Sequence, residues 1–530
     1  MFKHINQIFE KKDLFTFKIL FFLNFLMFFL EFLGIGSIPI FIATLISPEF
    51  IIDKLQFLDL EKLLLDLSHN KIIIYFSFFV VLIYLSKSLF LIFLTIYQNK
   101  FLENAKIKIA TKVFSHYINM EYINHLEKDP AELSRKITAD ISMLGIYIQQ
   151  YLAVVREVAV LVVILFLLIW ASPSIVLLVA SILSIITYLY ISKIKKILDE
   201  KSNTNKLIGE ENFKIVNEIF GSIKDLKILM KENDMISYFN SNVKKIKKNI
   251  FFFQVVEKIP RVVLEIFAIL VLTSSTVILV ISSQNFNNLL PFLALITFAV
   301  FRFIPAFSAI STAKYYMQIS IPYLNSLNEV SSEIAEDENI KKKDLNNYLN
   351  SENENDKNKY IDIKNLNFSY PGNKITQLKN VSFDIKKNTT TGIIGKTGAG
   401  KSTLFYILLG LIKPTSGTIT NNGEDIFTSL TSWRKKIGSV SQNIFLLDST
   451  IEKNITFNLN NEDVDTKKLN KAIKVSQLES KIKNLPLGLK TKVGNNGIKL
   501  SGGERQRLAI SRILYQDPEI IFLDESTNSL

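Results

Sequence analysis

Apolar residues along this chain are concentrated in six long runs, all of them before residue 325. A helix needs about 20 predominantly apolar residues to cross a bilayer, and each run is close to that length or longer. The pattern therefore predicts six membrane-spanning helices. The first run is too long for a cleavable signal peptide, and no small-residue cleavage site follows it. The six runs are residues 17–46, 72–97, 145–170, 173–191, 262–281 and 289–310.

The positions of the lysines predict the orientation of these helices. Four lysines lie within the first 18 residues and many more follow runs two and four, whereas the turns at 171–172 and 282–288 contain no Lys or Arg. Basic loops remain on the cytoplasmic side of a membrane. We therefore expect a multi-pass protein of the cell's inner (cytoplasmic) membrane, with residues 361–530 in the cytoplasm.

The connections after runs two and four are about fifty and seventy residues long, far longer than the loops usual between packed helices. Their patterning stays compatible with helix, which predicts membrane helices that continue into the cytoplasm. A soluble domain inserted between membrane helices is the alternative. In the outer loop, residues 50–67 place apolar side chains near one face and charges on the other. This pattern predicts a helix lying in the membrane interface or packed on its own membrane domain.

Three charged residues lie roughly midway along the apolar runs: Glu31, Lys87 and Arg302. Charges at this depth are costly and mark functional groups or ion pairs. Glu31 and Lys87 are interpreted either as a structural ion pair or as functional groups. The run that holds Arg302 contains no acidic residue, so Arg302 is the stronger candidate for binding an anionic substrate, with Lys87 as a second group.

Composition narrows the function class. The net charge of +13 is explained by lysines in the cytoplasmic loops, so nucleic acid is not expected as a partner. The absence of cysteine excludes disulfides, cysteine metal sites and thiol catalysis. All four histidines precede residue 126, which argues against a histidine metal site. Residues 331–360 are polar and charged, and predict a solvated linker between a membrane domain at 1–330 and a further domain at 361–530.

Residues 361–530 alternate between strand and helix patterns, with strands expected at 380–385 and 391–394. The second strand leads into a segment that fits the phosphate-loop pattern G-x-x-x-x-G-K-[ST]. Its glycines let backbone N–H groups approach phosphates at a helix N-terminus. Lys401 is expected to reach the β- and γ-phosphates, and the Ser402 hydroxyl to bind Mg²⁺. The predicted nucleotide-binding residues are Gly395, Lys396, Thr397, Gly398, Ala399, Gly400, Lys401, Ser402 and Thr403.

A second apolar strand, residues 520–523, ends in the carboxylates Asp524 and Glu525. An apolar run of this length predicts a buried parallel strand, and ligands bind at the carboxyl ends of such strands. Asp524 is therefore expected to hold Mg²⁺ through water. Between the loop and this strand, residues 500–507 read Leu-Ser-Gly-Gly-Glu-Arg-Gln-Arg.

These three motifs, in this order behind a long apolar half, resemble the ATP-binding-cassette (ABC) exporters. The resemblance implies a multi-domain membrane protein: an all-α domain of six transmembrane helices fused to an α/β P-loop ATPase domain. It implies ATP and Mg²⁺ as cofactors and a dimer, favoured as a homodimer, of two such chains. Short coupling helices are implied at the tips of the cytoplasmic loops, expected at residues 124–131 and around 231–239.

The resemblance also implies roles for single residues. Glu525 polarises the attacking water and Gln442 senses Mg²⁺ as a ligand, so that Glu525, Gln442 and Lys401 form the catalytic set. Tyr370 stacks on adenine. In this family the signature segment of one subunit, which here is Ser501, Gly502, Gly503 and Glu504, closes over ATP bound to another subunit.

The favoured function is ATP-driven flipping of a polyprenyl-diphosphate-linked oligosaccharide or a similar glycolipid, because flippases of this kind carry an amphipathic external helix. The alternatives are a lipid A-like lipid or hydrophobic drugs and, less favoured, peptides. A non-transporting ABC regulator is a different class, which the intact Glu525 and signature segment disfavour.

Two departures from the family pattern stand out. Asn495 occupies the place of a glutamate that contacts a coupling helix in many members, which puts that contact in doubt. The sequence ends at Leu530, before the Asp and the switch histidine that the resemblance would predict. We therefore expect residues 1–530 to be part of a longer chain and to hydrolyse ATP slowly or not at all on their own.

Overall fold

A computed structural model describes residues 11–46, 69–171, 173–281, 286–347, 360–372, 375–458 and 464–524. The predicted outer helix at 50–67 and the carboxylate of Glu525 lie outside these ranges. The chain divides into two compact units. The helical unit comprises Met1–Asn119 and Lys128–Asn339, and the α/β unit comprises Met120–Glu127 and Ile340–Leu530.

The helical unit is built from long helices. Three described stretches are long and apolar enough to cross a membrane: Lys11–Ile42, Asn70–Asn119 and Pro130–Phe166. The other three predicted spans fall within long helices whose side chains are described only in part. The helices are α1 (Lys11–Ile46), α2 (His69–Asn119), α3 (Tyr122–Glu127, assigned to the α/β unit), α4 (Pro130–Arg135), a π-helical turn (Lys136–Asp140), α5 (Ile141–Ala171), α6 (Pro173–Gly221), α7 (Ile223–Ile228), α8 (Glu232–Ile281) and α9 (Phe286–Asn347).

Helices α1, α2 and α5 pack around a shared apolar core. Leu20, Leu94, Leu144 and Leu152 are each at most 4% exposed and belong to one cluster. Other apolar side chains of α2, such as Phe78, are largely exposed. Outward-facing apolar surface on this scale is typical of a membrane-embedded helix.

The two long connections are helical as predicted, because α2, α6 and α8 each extend well past the apolar runs and α4 with the π-helical turn leads into α5. The predicted position of the second loop tip, 231–239, is wrong. Those residues begin α8, and the tip is the short helix α7 followed by a turn at Met230, whose φ is +54°. The sequence marked this break earlier, at Gly221-Ser222, where α6 ends.

The first half of the predicted linker is part of a helix. Helix α9 continues to Asn347, so residues 331–347 are helical rather than irregular. Ile334 is 9% exposed and anchors this extension in the helical unit. The segment contains three Glu and three Lys, which are good helix formers, beside Ser, Asp and Asn, and composition alone did not distinguish a polar helix from a linker.

The α/β unit contains two sheets. The first is antiparallel in the order β2-β1-β3-β4, and the second pairs β5 with β6 in parallel. Its strands are β1 (Ile361–Phe368), β2 (Leu378–Ile385), β3 (Ser416–Asn421), β4 (Glu424–Asp425), β5 (Ile437–Val440) and β6 (Ile520–Leu523). Its remaining helices are α10 (Lys401–Leu408), α11 (Leu430–Lys436), α12 (Ile451–Thr456), α13 (Thr466–Val475), α14 (Glu479–Lys483) and α15 (Gly502–Tyr515).

Of the two strands expected before the phosphate loop, the one at 380–385 lies within β2 and is confirmed. The strand expected at 391–394 is wrong for the described structure, in which these residues pair with no strand and Ile394 is 97% exposed. Strand β6 is present, but it is not buried on both faces: Phe522 is buried while Ile521 and Leu523 are about half exposed. Apolar sequence favours a buried strand, but burial needs neighbouring elements on both faces.

Candidate functional site

The phosphate loop, residues 395–402, ends in a left-handed backbone that starts α10. Gly398 and Gly400 have φ of +82° and +87°. A Cβ on Gly400 would lie 2.9 Å from Leu378 Cδ2 and 3.0 Å from the Gln377 carbonyl oxygen, so glycine is required there both by conformation and by space. Helix α10 begins at Lys401 with no side-chain cap, which leaves its first N–H groups available to an anion.

Lys401 folds back over the loop that precedes it. Its Nζ donates to the carbonyl oxygens of Gly395, at 2.7 Å, and Lys396, at 3.1 Å. The ammonium group therefore lies within the loop, where a phosphate bound to the backbone would meet it.

Tyr370 lies beside the same helix. Its Oη is 3.2 Å from Thr403 Oγ1, and its ring packs edge-on against Phe368 with ring centroids 4.9 Å apart. Tyr370 and Thr403, both predicted nucleotide-binding residues, are thus brought together across 33 positions of sequence. This places an aromatic ring next to the phosphate loop.

The carboxyl ends of β5 and β6 bring two further predicted residues to one edge of the sheet. Val440 pairs with Leu523, and the Asp524 N–H extends the ladder by donating to the Val440 carbonyl oxygen at 3.0 Å. Gln442 therefore follows β5 where Asp524 follows β6. Helix α10 packs on β6 through Phe405 and Phe522, with ring centroids 5.9 Å apart.

The residues predicted to bind Mg²⁺ are Ser402, Gln442 and Asp524. They offer a hydroxyl, an amide oxygen and a carboxylate, and this all-oxygen set suits Mg²⁺. Among the described residues there is no group of three or more His, Cys, Asp or Glu side chains that would suit another kind of metal site. The donor set therefore fits the predicted ion.

The signature segment forms the start of α15. Ser501 caps this helix: its Oγ accepts from the Glu504 N–H at 3.3 Å, while Glu504 Oε2 accepts from the Ser501 N–H at 2.8 Å. This reciprocal capping box satisfies two N–H groups of the helix start. Glu504 Oε1 lies 2.9 Å from Lys481 Nζ. The Lys481 ammonium, followed by the Ser501 N–H, holds the pKa of the Glu504 carboxyl below its ordinary value.

Within the part of the chain that the structure describes, no hydrogen bond or ion pair connects the phosphate loop with the signature segment. The two are held by different elements, α10 and α15. One copy of the α/β unit therefore presents both halves of a nucleotide site without joining them.

The three charged residues midway along the apolar runs, Glu31, Lys87 and Arg302, form one cluster. Glu31 is 2% exposed, and its two carboxylate oxygens lie 2.8 Å from Lys87 Nζ and 2.8 Å from Arg302 Nη2. Arg302 also lies 3.7 Å from Glu157, which pairs with Arg156 at 3.1 Å. The Glu31–Lys87 ion pair, one of the two interpretations of these residues, is present in the structure. Arg302 has no acidic residue in its own run, but Glu31 and Glu157 supply acidic partners from other helices.

A cavity of about 710 Å³ opens between α8 and α9. A volume of this size is in the range of small-molecule sites. Its lining is mainly apolar, with one acidic, one basic and one amide side chain, and nothing in the sequence pattern pointed to it. The lining residues are Phe251, Gln254, Val255, Glu257, Lys258, Ile259, Val262, Val263 and Tyr316.

The first loop tip is expected to form a coupling helix that touches an ATPase domain, but its partner residues are not predicted by the sequence. Helix α3, which overlaps the predicted tip at 124–131, packs within the α/β unit: the Tyr122 ring lies 5.4 Å from that of Tyr406 on α10. Burial, and after it Tyr122, raises the pKa of Tyr406. No local pattern links residues this far apart in sequence.

Comparison with known protein families gives two matches. The family model described as "ABC transporter transmembrane region" matches residues 54–304, and the one described as "ABC transporter" matches residues 378–528. The first match lies before the predicted linker and the second lies after it.

Individual proteins give similar results. A putative export ATP-binding/permease protein of Rickettsia prowazekii is 28% identical over 473 residues, which is 88% of this chain and 78% of that relative. The ATP-dependent lipid A-core flippase of Photobacterium profundum is 36% identical over 171 residues, covering 32% of this chain and 29% of the relative. The solved structure of a bacterial Atm1-family ABC exporter with ATP bound aligns with a TM-score of 0.71 at 20% identity, over 96% of this chain and 85% of that chain. This last similarity concerns the fold.

Proposed function

Because the chain belongs to the ABC transporter family, as a half-transporter of the exporter type, we propose that it uses ATP hydrolysis to move a lipid-linked substrate outward across the inner membrane. The main observation in favour of ATPase activity is that one unit contains both a phosphate loop at the start of α10 and a capped signature helix α15. The sheet edge that holds Asp524 beside β5 supplies the third component.

In this proposal each residue of the site has one task. The loop N–H groups and Lys401 hold the β- and γ-phosphates, and Tyr370 stacks on the adenine. Ser402, Gln442 and Asp524 hold Mg²⁺, which when bound neutralises phosphate charge. Glu525 accepts a proton from the attacking water as general base. None of these side chains forms a covalent bond, so catalysis rests on positioning and charge.

The working unit is a dimer, proposed as a homodimer. Ser501, Gly502 and Gly503 complete an ATP site by approaching the γ-phosphate held on the phosphate loop of a second copy. The separation of the two half-sites on different elements of one α/β unit supports this arrangement. The packing of Tyr122 against Tyr406 supports α3 as the element that carries movement of α10 to the membrane helices.

For the substrate, we favour a polyprenyl-diphosphate-linked oligosaccharide or similar glycolipid. The supporting observation is the charged cluster of the helical unit, in which three basic and two acidic side chains leave a net positive charge. Arg302 is 26% exposed and Lys87 is 16% exposed, so both retain a face for a diphosphate while bound to Glu31. Guanidinium binds phosphate oxygens in bidentate fashion.

The second candidate is a lipid A-like lipid or a hydrophobic drug. The relative named as a lipid A-core flippase and a multidrug resistance transporter of Lactococcus lactis support it, as does the mainly apolar cavity between α8 and α9. A peptide substrate is less favoured. A non-transporting regulator would need no intact site, and the capped signature helix argues against it.

The test uses the full-length protein in vesicles that contain a fluorescent polyprenyl-diphosphate lipid. Arg302→Ala and Lys87→Ala should reduce flipping by about tenfold or more, the loss expected when a charged group loses its ionic partner, while basal ATPase persists. Lys108→Ala is the matched control, since Lys108 pairs with Asp13 at 2.7 Å and is half exposed. Arg302→Lys tests the need for bidentate geometry.

Unchanged flipping of the diphosphate lipid by both alanine variants would reject the substrate-binding role of Arg302 and Lys87, and with it the argument from the charged cluster for an anionic substrate. An ATPase rate that survives Lys401→Ala would instead reject the ATPase assignment.

A further inference from the structure

The start of α15 carries a negative charge at the place where the proposed function requires an anion to bind. A capping box works with either Glu or Gln as its fourth residue. Here it is Glu504, a carboxylate three residues after Ser501. A carboxylate at a helix N-terminus stabilises the helix itself. The same charge repels a γ-phosphate that approaches the same N-terminus.

Lys481 is placed to remove this conflict. It projects from α14, a separate short helix, and its Nζ lies 2.9 Å from Glu504 Oε1. The other carboxylate oxygen of Glu504 accepts from the Ser501 N–H at 2.8 Å. Each oxygen of the carboxylate thus has its own donor, and the Lys481 ammonium cancels the charge on the side away from the Ser501 backbone. Lys481 and Glu504 are 39% and 23% exposed, so the pair is accessible but partly shielded.

We propose that Lys481 is a positioning residue of the ATP site: it neutralises Glu504 and holds it on the Ser501 N–H, so that the signature helix accepts the γ-phosphate of ATP bound to a second copy. The inference rests on the proposed function. It assigns a role to a residue that lies twenty positions before the signature segment and belongs to none of the recognised motifs.

Two lysines of helix α14, Lys481 and Lys483, differ in their acidic partners. Lys483 lies two residues from Lys481 and pairs with Glu479 at 2.8 Å, with both side chains largely exposed. Lys483→Ala removes the same charge from the same helix without touching Glu504, and is therefore the matched control.

The experiment measures steady-state ATPase of the full-length protein in nanodiscs. Lys481→Ala should raise the KM for ATP by about fivefold, the upper range for a partly exposed ion pair, whereas Lys481→Arg and Lys483→Ala should remain near wild type. The inhibition constant for ADP should not change, because ADP lacks the γ-phosphate. Glu504→Gln keeps the cap without the charge, so adding Lys481→Ala to it should have no further effect.

An equal KM for ATP in Lys481→Ala and Lys483→Ala would overturn the inference while leaving the proposed function intact. So would an effect of Lys481→Ala that persists undiminished in the Glu504→Gln background. Wild-type ATPase that does not depend on Lys401 would overturn both. If Lys481→Ala fails to fold, as judged by the emission of the buried Trp433, the comparison of Lys481→Gln with Lys481→Arg carries the same test.

Discussion

Arg512 Nε donates to the Asn454 carbonyl oxygen at 2.8 Å, which ties the signature helix α15 to helix α12. The guanidinium also donates to the Phe445 carbonyl oxygen at 3.3 Å and lies 4.8 Å from the ring centroid of Phe457. Asn454 is fully buried, and its side chain bonds both the N–H and the carbonyl oxygen of Leu447. One arginine therefore connects the signature helix with the segment that follows Gln442.

Arg512→Ala should lower the free energy of unfolding of the α/β unit by about 2 kcal/mol, the scale of hydrogen bonds to a charged group. Arg512→Lys should recover less than half of this loss, because an ammonium cannot reproduce the planar fork. The free energy of unfolding is measured by urea unfolding followed by Trp433 fluorescence. The chain has two tryptophans, so a Trp170→Phe background leaves Trp433 as the single fluorophore of this kind. Arg507→Ala, which loses a single 3.4 Å bond, is the control. Equal losses for Arg507→Ala and Arg512→Ala would contradict the prediction.

Glu525→Gln should stop turnover and leave ATP binding intact. The substitution removes the general base but not the loop and Lys401 that hold the phosphates. Radiolabelled ATP binding and phosphate release, measured on the same sample, separate the two effects. Lys401→Ala serves as the contrast, since it should weaken binding itself. Retention of full phosphate release by Glu525→Gln would remove this residue from the catalytic role.

Mixing Lys401→Ala chains with Ser501→Arg chains should restore at most one composite site per dimer. One chain then contributes an intact phosphate loop and the other an intact signature segment. ATPase of the mixture, compared with each variant alone and with a mixture of double variants, provides the measurement. Full activity from a purified monomer would show that a single chain completes its own site.

Glu31→Gln should destabilise the helical unit by about 3 kcal/mol, because it leaves two partly buried cations, Lys87 and Arg302, without their shared counter-charge. Asp13→Asn on the same helix should cost less than about 1 kcal/mol, since its partner Lys108 is half exposed. Unfolding in mixed detergent micelles compares the two. Adding Lys87→Met to Glu31→Gln should recover part of the lost stability. Equal stability of Glu31→Gln and Asp13→Asn would rule out a buried cluster.

The stability of the α/β unit should fall between pH 10 and pH 12. Burial, together with the Glu519 carboxylate that accepts from Tyr360 Oη at 2.6 Å, raises the pKa of Tyr360 from 10.0 to about 12. The folded chain therefore keeps a proton that the unfolded chain loses above pH 10, and this contribution disappears as the pH rises to about 12. Tyr360→Phe should flatten the dependence of the urea unfolding midpoint on pH between pH 10 and pH 12. Glu519→Gln should make that dependence less steep. A wild-type profile unchanged by Tyr360→Phe would contradict the assignment.

Features that depend on local sequence could be predicted without the structure. The phosphate loop requires glycine spacing that one short segment contains, and the helix expected after it begins at Lys401. The strand before Asp524 likewise follows from an apolar run of four residues. The apolar runs establish a membrane protein because helix length and bilayer thickness are directly comparable.

Burial and partner choice could not be predicted, because they depend on which distant elements meet. Residues 391–394 have strand-like side chains but pair with no strand in the described structure. Helix α9 extends through a segment whose composition suggested a linker. The second loop tip differs for a related reason, since the chain turns at Gly221-Ser222 and Met230 rather than at the charged stretch that follows.

The sequence by itself determined the motifs typical of an ABC transport ATPase and the apolar runs typical of membrane helices. Only the tertiary structure decided which charges meet. Arg302 and Glu31 are separated by 271 positions and Lys481 and Glu504 by 23, yet each pair lies within 2.9 Å. A charge in sequence has no fixed partner, because the energy of an ion pair depends on distance and burial, and folding alone sets both.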